Sequence, residues 1–348
     1  MTSSYHHAMP ILIAGDALDR GAARALMADI MVGDVSHARI AAVLTALALR
    51  GETADELVGF ATVMRDQARR VPFTPAPGEA LLDTCGTGGS GLDTANTSTM
   101  AAFVLAAAGV RVAKHGNRSS SGRCGSMDVL QRMGVHIEVG PEDAATLLRT
   151  QGVAFLFAPL YHPAVGFVMP VRRDLGFRTV FNFLGPLCNP AFATHQVLGV
   201  SDPRRAELMA QALADLGSER VMVVHGDDGL DELTLSTDST VWLVADGRVD
   251  VQRVTPESVG LARAELAAFR GGGPAENQAI FESVLQGGDH GPHRDHLAFN
   301  VAAGLFVTGR AKTLESGVNS ALSLIASGAG WRSFESYRAA TVALMERA

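Results

Sequence analysis

Residues 81–108 read LLDTCGTGGSGLDTANTSTMAAFVLAAA. Leu81-Leu82 ends a short apolar run, a loop with glycines at 86, 88, 89 and 91 follows, and Thr97–Ala108 has the length and apolar content of a helix. In such a strand–loop–helix unit the glycines let successive backbone N–H groups converge on an anion, and the helix N-terminus adds positive potential. Gly86, Gly88 and Gly91 also match G-x-G-x-x-G, but a dinucleotide fold would want an acidic residue about 20 positions on. No Asp or Glu occurs between Asp93 and Asp128, and the next strand ends in Lys114-His115-Gly116-Asn117-Arg118. A cationic strand end suits a second phosphate, not a ribose diol. The loop does not match G-x-x-x-x-G-K-[ST], so a P-loop ATPase is not supported.

Downstream of this unit, apolar runs at 110–113, 153–157, 197–200, 221–224 and 241–244 predict further strands. Helical stretches at 126–133, 142–150 and 203–216 lie between most of them, which predicts an α/β fold with a largely parallel sheet. Helices dominate again at 275–286, 294–308, 313–327 and 333–347. Upstream, residues 17–70 read as helices, with Thr53 and Glu56 spaced as a capping box. The proline-rich segment 72–77 (PFTPAP) marks a domain boundary.

The composition agrees with a large globular core. Of 348 residues, 47% are hydrophobic and 19% charged, the net charge is −7, and 37 are glycine. An acidic chain of this kind is not built to coat nucleic acid or an anionic membrane. No run of 18 apolar residues predicts a membrane span. The start lacks the features of a signal peptide. Three widely spaced cysteines, Cys85, Cys124 and Cys188, suit a reduced cytoplasmic protein.

Three further clusters carry chemistry. Lys114 is one of only two lysines, and it opens a run of donors through Asn117, Arg118, Ser119, Ser120, Ser121, Gly122, Arg123 and Ser126 that can wrap a diphosphate. The run His225-Gly226-Asp227-Asp228-Gly229-Leu230-Asp231-Glu232 places carboxylates after a strand, as Mg²⁺ bridging to a diphosphate requires. Arg172, in Pro170-Val171-Arg172-Arg173-Asp174, suits bidentate capture of a planar carboxylate, although two adjacent arginines by themselves read as a surface pair. The stretch with His290, His293 and His296 reads as a solvated loop and helix start around Gly291-Pro292 rather than a metal site.

In this order, GTGG (86–89), NTST (96–99), KHGNR (114–118), GSMDVL (125–130), FAPLYHPA (157–164), PVRRDLGFRT (170–179), FNFLGPLCNP (181–190), HGDDGLDE (225–232) and PAENQAI (274–280) form a specific combination. On these motifs the chain resembles the anthranilate phosphoribosyltransferase family of the tryptophan pathway over nearly its full length. The resemblance implies a small all-helical domain, 1–72 joined by roughly 165–185, and a larger α/β domain, 73–348, with a mostly parallel central sheet flanked by helices. It implies a cytoplasmic homodimer that transfers phosphoribosyl from 5-phosphoribosyl-1-diphosphate to anthranilate, with two Mg²⁺ ions per subunit.

Position by position, the resemblance assigns the donor site to Gly86, Thr87, Gly88, Gly89, Thr94, Asn96, Ser98, Thr99, Lys114, His115, Gly116, Asn117, Arg118, Ser119, Ser120, Ser121, Gly122 and Ser126. Lys114 and Arg118 would act electrostatically, with no covalent nucleophile. Gly86, His115, Asn117, Pro159, His162 and Arg172 would form the anthranilate site, and Ser98, Asp231 and Glu232 would hold the metal. The chain departs from the family pattern at Ser90, where Asp is usual, at Ala95, where Phe is usual, and at Cys124, where Ser is usual. Phosphoribosyl transfer to another aromatic amine, a pyrimidine nucleoside phosphorylase and a non-catalytic nucleic-acid-binding relative are the alternatives. The acidic motif and KHGNR favour the anthranilate reading over the phosphorylase. The net charge and the metal motif stand against the nucleic-acid reading.

Overall fold

The computed structural model describes residues 4–89, 91–92, 94–119 and 123–345. Four helices come first: α1 (Ser4–Ile13), α2 (Arg20–Met31), α3 (His37–Arg50) and α4 (Ala54–Asp66). The capping box forms as its spacing predicts: the Thr53 side chain accepts from the Glu56 N–H, and the Glu56 carboxylate accepts from the Thr53 N–H at 2.9 Å. The same carboxylate takes the Leu18 N–H at 2.9 Å, which pins the entry to α2 against α4. Helix α1 lies ahead of the stretch read as helical. Pro10 sits inside it and weakens the helical signal, yet Ala8 and Leu12 are buried in the helical core.

The α/β part runs β1 (Leu81–Asp83), α5 (Thr97–Ala107), β2 (Arg111–Gly116), α6 (Ser126–Arg132), α7 (Pro141–Gln151) and β3 (Val153–Phe157). Three short helices follow, α8 (Ala158–Tyr161), α9 (Met169–Leu175) and α10 (Phe181–Leu187). The chain continues with β4 (His195–Gly199), α11 (Pro203–Asp215), β5 (Arg220–Gly226), β6 (Ser239–Ala245) and β7 (Arg248–Val254). It ends with α12 (Pro274–Leu285), α13 (Pro292–Val307), α14 (Leu314–Ala326) and α15 (Ala329–Met345).

The seven strands are ordered β3-β2-β1-β4-β5-β6-β7. The first five are parallel, and β6 and β7 are antiparallel to their neighbours. Strand β7 is an addition to the six that the apolar pattern predicts. It is an edge strand, RVDVQRV, mostly exposed, in which polar residues separate the valines, so it has no apolar run to read. Its signal lies in the turn before it: Asp246 (φ 51°) and Gly247 (φ 71°) are both left-handed, as a two-residue hairpin turn demands.

Helices cover both faces of the central strands, and side chains alternate between two cores. On β5, Met222 and Val224 join the core with α5, α13 and α15, while Val221 and Val223 join the core with α11 and the N-terminal helices. Val168, Val171, Val180, Phe181, Phe183 and Leu184 belong to that second core, so the 168–184 segment packs with α1–α4. In the first core, Phe103 of α5 meets the rings of Phe155, Phe281, Phe334 and Tyr337 at 5.1–6.0 Å. Among the described residues, no helix is long and apolar enough to cross a membrane.

This order creates the site. From central β1 the chain leaves toward β2 and β3, then returns to build β4 and β5 on the other side. Between β1 and β4 the connections depart in opposite directions, which opens a crevice at the carboxyl ends of these strands.

Candidate active site

The glycine loop crosses that crevice. Thr87 N–H, just beyond β1, donates to the Gly199 carbonyl at the end of β4 at 2.8 Å. Asp83, the last residue of β1, is fully buried and accepts from Asn189 Nδ2 (2.7 Å), Cys85 N–H (3.0 Å) and His115 N–H (3.2 Å). One carboxylate thus locks the exit of β1 to β2 and to the Asn189 loop. Burial pushes its pKa up, and Lys114 and the three donors pull it back.

Two features of the loop require glycine. A Cβ on Gly199 would lie 1.7 Å from the Asp231 carbonyl oxygen, and one on Gly86 would lie 3.1 Å from Asp231 Oδ2. The acidic loop therefore rests directly on a floor of bare backbone. Gly88 (φ 62°) and Gly89 (φ 78°) are left-handed, and Arg178 lies against them. Its guanidinium donates to the carbonyls of Gly88 (3.2 Å) and Gly89 (3.4 Å) and to Ser201 Oγ (3.4 Å). In a trans peptide the N–H opposes the carbonyl, so the Gly89 N–H faces away from Arg178.

Lys114 is buried on β2. Its Nζ donates to the Thr84 carbonyl (2.8 Å) and Ser98 Oγ (3.1 Å), which uses two of an ammonium's three protons. Burial lowers its pKa; among the charges that oppose this are those of Asp83, Glu232 and Asp231. Asn96 caps α5 in a left-handed conformation (φ 56°). It is held there by Asn277 Nδ2, which donates to Asn96 Oδ1 (2.7 Å), while Asn96 Nδ2 donates to the Cys124 carbonyl (3.1 Å). Asp128 of α6 gathers the donor loop, accepting from the N–H groups of Ser119 and Gly125, each at 2.9 Å.

The acidic loop divides its labour. Asp228 shapes the turn, accepting from Leu230 N–H (3.1 Å) and Thr234 Oγ1 (2.6 Å), and Asp227 pairs with Arg253 of β7. Asp231 and Glu232 are left to face the cavity. Burial, and then the Asp231 charge, pushes Glu232 up to about 8, against the pull of Thr97, Lys114 and the Ser98 N–H. Glu232 Oε2 is buried without a donor among the described residues.

Around these groups lies one cavity of about 500 Å³. It brings together Gly86, Thr87, Gly88, Gly89, Thr94, Asn96, Ser98, Thr99, Lys114, His115, Gly116, Asn117, Arg118, Ser119, Ser126, Asp231 and Glu232. Ser120, Ser121 and Gly122, together with Ser90 and Asp93, lie outside the described residues. Pro159, His162 and Arg172 do not line this cavity. Pro159 is exposed on α8. His162 is buried with its ring 5.1 Å from that of His115. Arg172 on α9 reaches Asn182 Oδ1 at 3.4 Å and lies over the Phe181 ring. Burial lowers His115 to about 3 and His162 to about 4, so both are neutral near pH 7. Cys124 lines the cavity, and burial raises its thiol, which opposes reactivity.

Comparison with known proteins agrees with this fold. Residues 78–331 match the family model described as "Glycosyl transferase family, a/b domain", and residues 9–68 match "Glycosyl transferase family, helical bundle domain". Anthranilate phosphoribosyltransferase of Chloroflexus aurantiacus is 48% identical over 322 residues, covering 92% of this chain and 94% of its own. The chain belongs to the anthranilate phosphoribosyltransferase family. A Thermus thermophilus member superimposes with a TM-score of 0.90 at 45% identity, over 96% of this chain and 99% of its own. A Saccharomyces cerevisiae member, solved in complex with PRPP and Mg, superimposes with a TM-score of 0.88 at 27% identity over 99% of both chains.

Several residues of this family member's site escaped the motif reading. Asp83 and Asn189 meet from positions 106 apart, and Arg178 reaches back about 90 residues to the loop. Gly199 had a local signal, as a glycine inside the apolar strand run 197–200. The His-rich stretch is only partly the solvated turn expected: His290 is exposed, but His296 is 2% exposed inside α13. It lies one turn into a helix whose buried face is set by packing.

Proposed function

We propose that this cavity catalyses transfer of the 5-phosphoribosyl group from 5-phosphoribosyl-1-diphosphate to the amine of anthranilate. The products are N-(5-phosphoribosyl)anthranilate and diphosphate, a step of tryptophan biosynthesis. The observation that carries the reading is the convergence of the glycine loop, Lys114 and the Asp231–Glu232 pair at one strand-order switch point.

The chemistry is displacement of diphosphate from ribose C1, with negative charge growing on the leaving group. The Gly86–Gly89 backbone, the N-terminus of α5 and the remaining Lys114 proton bind that charge, with Arg118 at the rim. Thr94, Asn96, Ser98, Thr99 and the 116–126 loop align the ribose and phosphates. An aromatic amine is weakly basic, so no strong general base is needed, and no covalent intermediate is involved. On the acceptor side, Arg172 pairs with the anthranilate carboxylate, and neutral His115 and His162, with Asn117 and Pro159, shape the ring site. The unpaired Glu232 Oε2, the Asp231 carboxylate and the Ser98 hydroxyl are hard oxygen donors that fit Mg²⁺, which characteristically takes one or two carboxylates and completes its shell with phosphates and water. Bound there, Mg²⁺ supplies charge neutralisation for the departing diphosphate.

The same reading places two Mg²⁺ ions in each subunit and the protein in the cytoplasm. It divides the chain at 72/73, with 165–185 added to the helical domain. It also makes the protein a homodimer through that domain, which exposes Ile13, Val32 and Leu49 to solvent. The decisive experiment mixes protein, Mg²⁺, phosphoribosyl diphosphate and anthranilate. Loss of anthranilate fluorescence supports the reading, and its persistence with folded protein overturns it.

A further inference from the structure

Beside Glu232 lies a second buried atom that the reaction does not use. His296 Nε2 and Glu232 Oε2 are both buried, both lack a hydrogen-bond partner among the described residues, and face each other at 3.6 Å. That distance exceeds a hydrogen bond, so each is a polar group left waiting.

The ring of His296 is held on its other sides. It stacks on Phe269 with centroids 4.6 Å apart, and its Nδ1 lies 3.3 Å from the hydroxyl of Thr97, the residue before Ser98. One helical turn further along α13, Asn300 grips the acidic loop: its Oδ1 accepts from the Leu233 N–H and its Nδ2 donates to the Leu233 carbonyl, each at 3.0 Å. Positions i and i+4 share a helix face. The same face of α13 therefore clamps the backbone next to Glu232 and presents an imidazole to its side chain.

The tautomer follows from the network. If the Thr97 hydroxyl donates to Nδ1, the ring proton sits on Nε2 and points at Oε2. If instead Nδ1 donates to Thr97, Nε2 is bare and two buried acceptors oppose each other. The first arrangement gives both buried atoms a partner, and it turns the single Thr97 proton to Nδ1 instead of to the Glu232 carboxylate.

We propose that His296 is a positioning residue for Glu232, its Nε2–H being the donor that orients the carboxylate for cation binding alongside diphosphate. The proposal rests on the reading of Asp231 and Glu232 as metal ligands. Loss of such an outer partner typically weakens metal binding about 10–100-fold.

The test measures Mn²⁺ binding by the electron paramagnetic resonance signal of free Mn²⁺, with inorganic diphosphate present and no turnover. His296→Gln keeps an amide donor near the place of Nε2, whereas His296→Asn keeps one near the place of Nδ1. Melting temperatures of both variants control for general damage. The expected result is an Mn²⁺ affinity about 10–100-fold weaker in His296→Asn and close to wild type in His296→Gln. Wild-type affinity in His296→Asn, or equal weakening in both, overturns the proposal. Glu232→Gln is the control for the metal reading: unchanged Mn²⁺ binding there overturns that reading, and the proposal with it. Weakened binding in Glu232→Gln together with unaffected His296→Asn removes the His296 role alone.

Discussion

Arg172 and Arg178 come from one short segment and reach different partners. Arg178 holds the carbonyls of Gly88 and Gly89, whereas Arg172 lies beside Asn182 and the Phe181 ring. Arg178→Ala frees the diphosphate loop and should raise KM for the phosphoribosyl donor about tenfold, with KM for anthranilate nearly unchanged, as loss of one charge-assisted contact would. Arg172→Ala should do the reverse. Steady-state kinetics with each substrate varied in turn separates the two, and equal effects on both substrates would refute the assignment. Gly199→Ala makes a sharper demand, because its Cβ would fall 1.7 Å from the Asp231 carbonyl oxygen. The acidic loop must move, so kcat/KM should fall about 100-fold or more while the circular dichroism spectrum stays that of the folded protein. Wild-type activity would show that the loop has slack there.

Among the elements, α5 links core to chemistry. Its N-terminal end supplies Ser98 and Thr99 to the cavity, and its middle buries Phe103 in a cluster of four other aromatic rings. Phe103→Ala should cost about 3–5 kcal/mol, read as a lower denaturant midpoint at unchanged slope. A cost below 1 kcal/mol, on the order of a surface change, would mean the cluster repacks freely. This helix was legible in the chain because Met100–Ala108 is an unbroken apolar run that follows a glycine loop and the polar start Thr97-Ser98-Thr99. Strand β7 was not, because Val249 and Val251 alternate with polar residues and make no apolar run; the Asp246-Gly247 turn was its clearer signal. Helix α1 was hidden by Pro10. The glycine, lysine and acidic motifs were each visible as local patterns. Asp83–Asn189, Arg178 and His296 were not, since each has its partner far away in sequence.

At the scale of the whole molecule, two properties follow from packing between distant segments. His115 and His162 are buried and neutral, lowered to about 3 and about 4. In the unfolded chain both take up protons near pH 6.5, while the folded chain does not until the pH nears their lowered values. Their stabilising contribution is complete above pH 6.5 and is lost as the pH falls, at up to about 1.4 kcal/mol per pH unit for each. The melting temperature should rise a little as the pH falls from 8 to about 7, where buried Glu232 takes up a proton that the unfolded chain does not, and drop between about 6 and 4, where these two rings and His296, also lowered to about 4, outweigh it; a flat profile to pH 4 would show that the rings are hydrated. Leu49 is 84% exposed on α3, in the helical domain through which the proposed dimer forms. Leu49→Asp should shift the sedimentation profile from dimer to monomer at micromolar protein, and an unchanged profile would place any interface elsewhere.

What could be read along the chain was short-range chemistry. Strand–glycine loop–helix order, the cationic KHGNR end, the acidic run after β5 and the Thr53 capping box each depend on neighbours a few residues apart. Such features follow from backbone sterics and local hydrogen bonding, which act the same wherever the segment folds. The tertiary structure decided the rest. It chose Asp231 and Glu232 over Asp227 and Asp228 to face the cavity, by tying the latter two to Arg253 and Thr234. It buried His296 against Glu232 and set Arg178 on the glycine loop. These outcomes depend on the order in which strands pair about β1 and on which face each helix turns inward. That is settled by burial of apolar surface summed over the whole sheet, to which no single segment holds the answer.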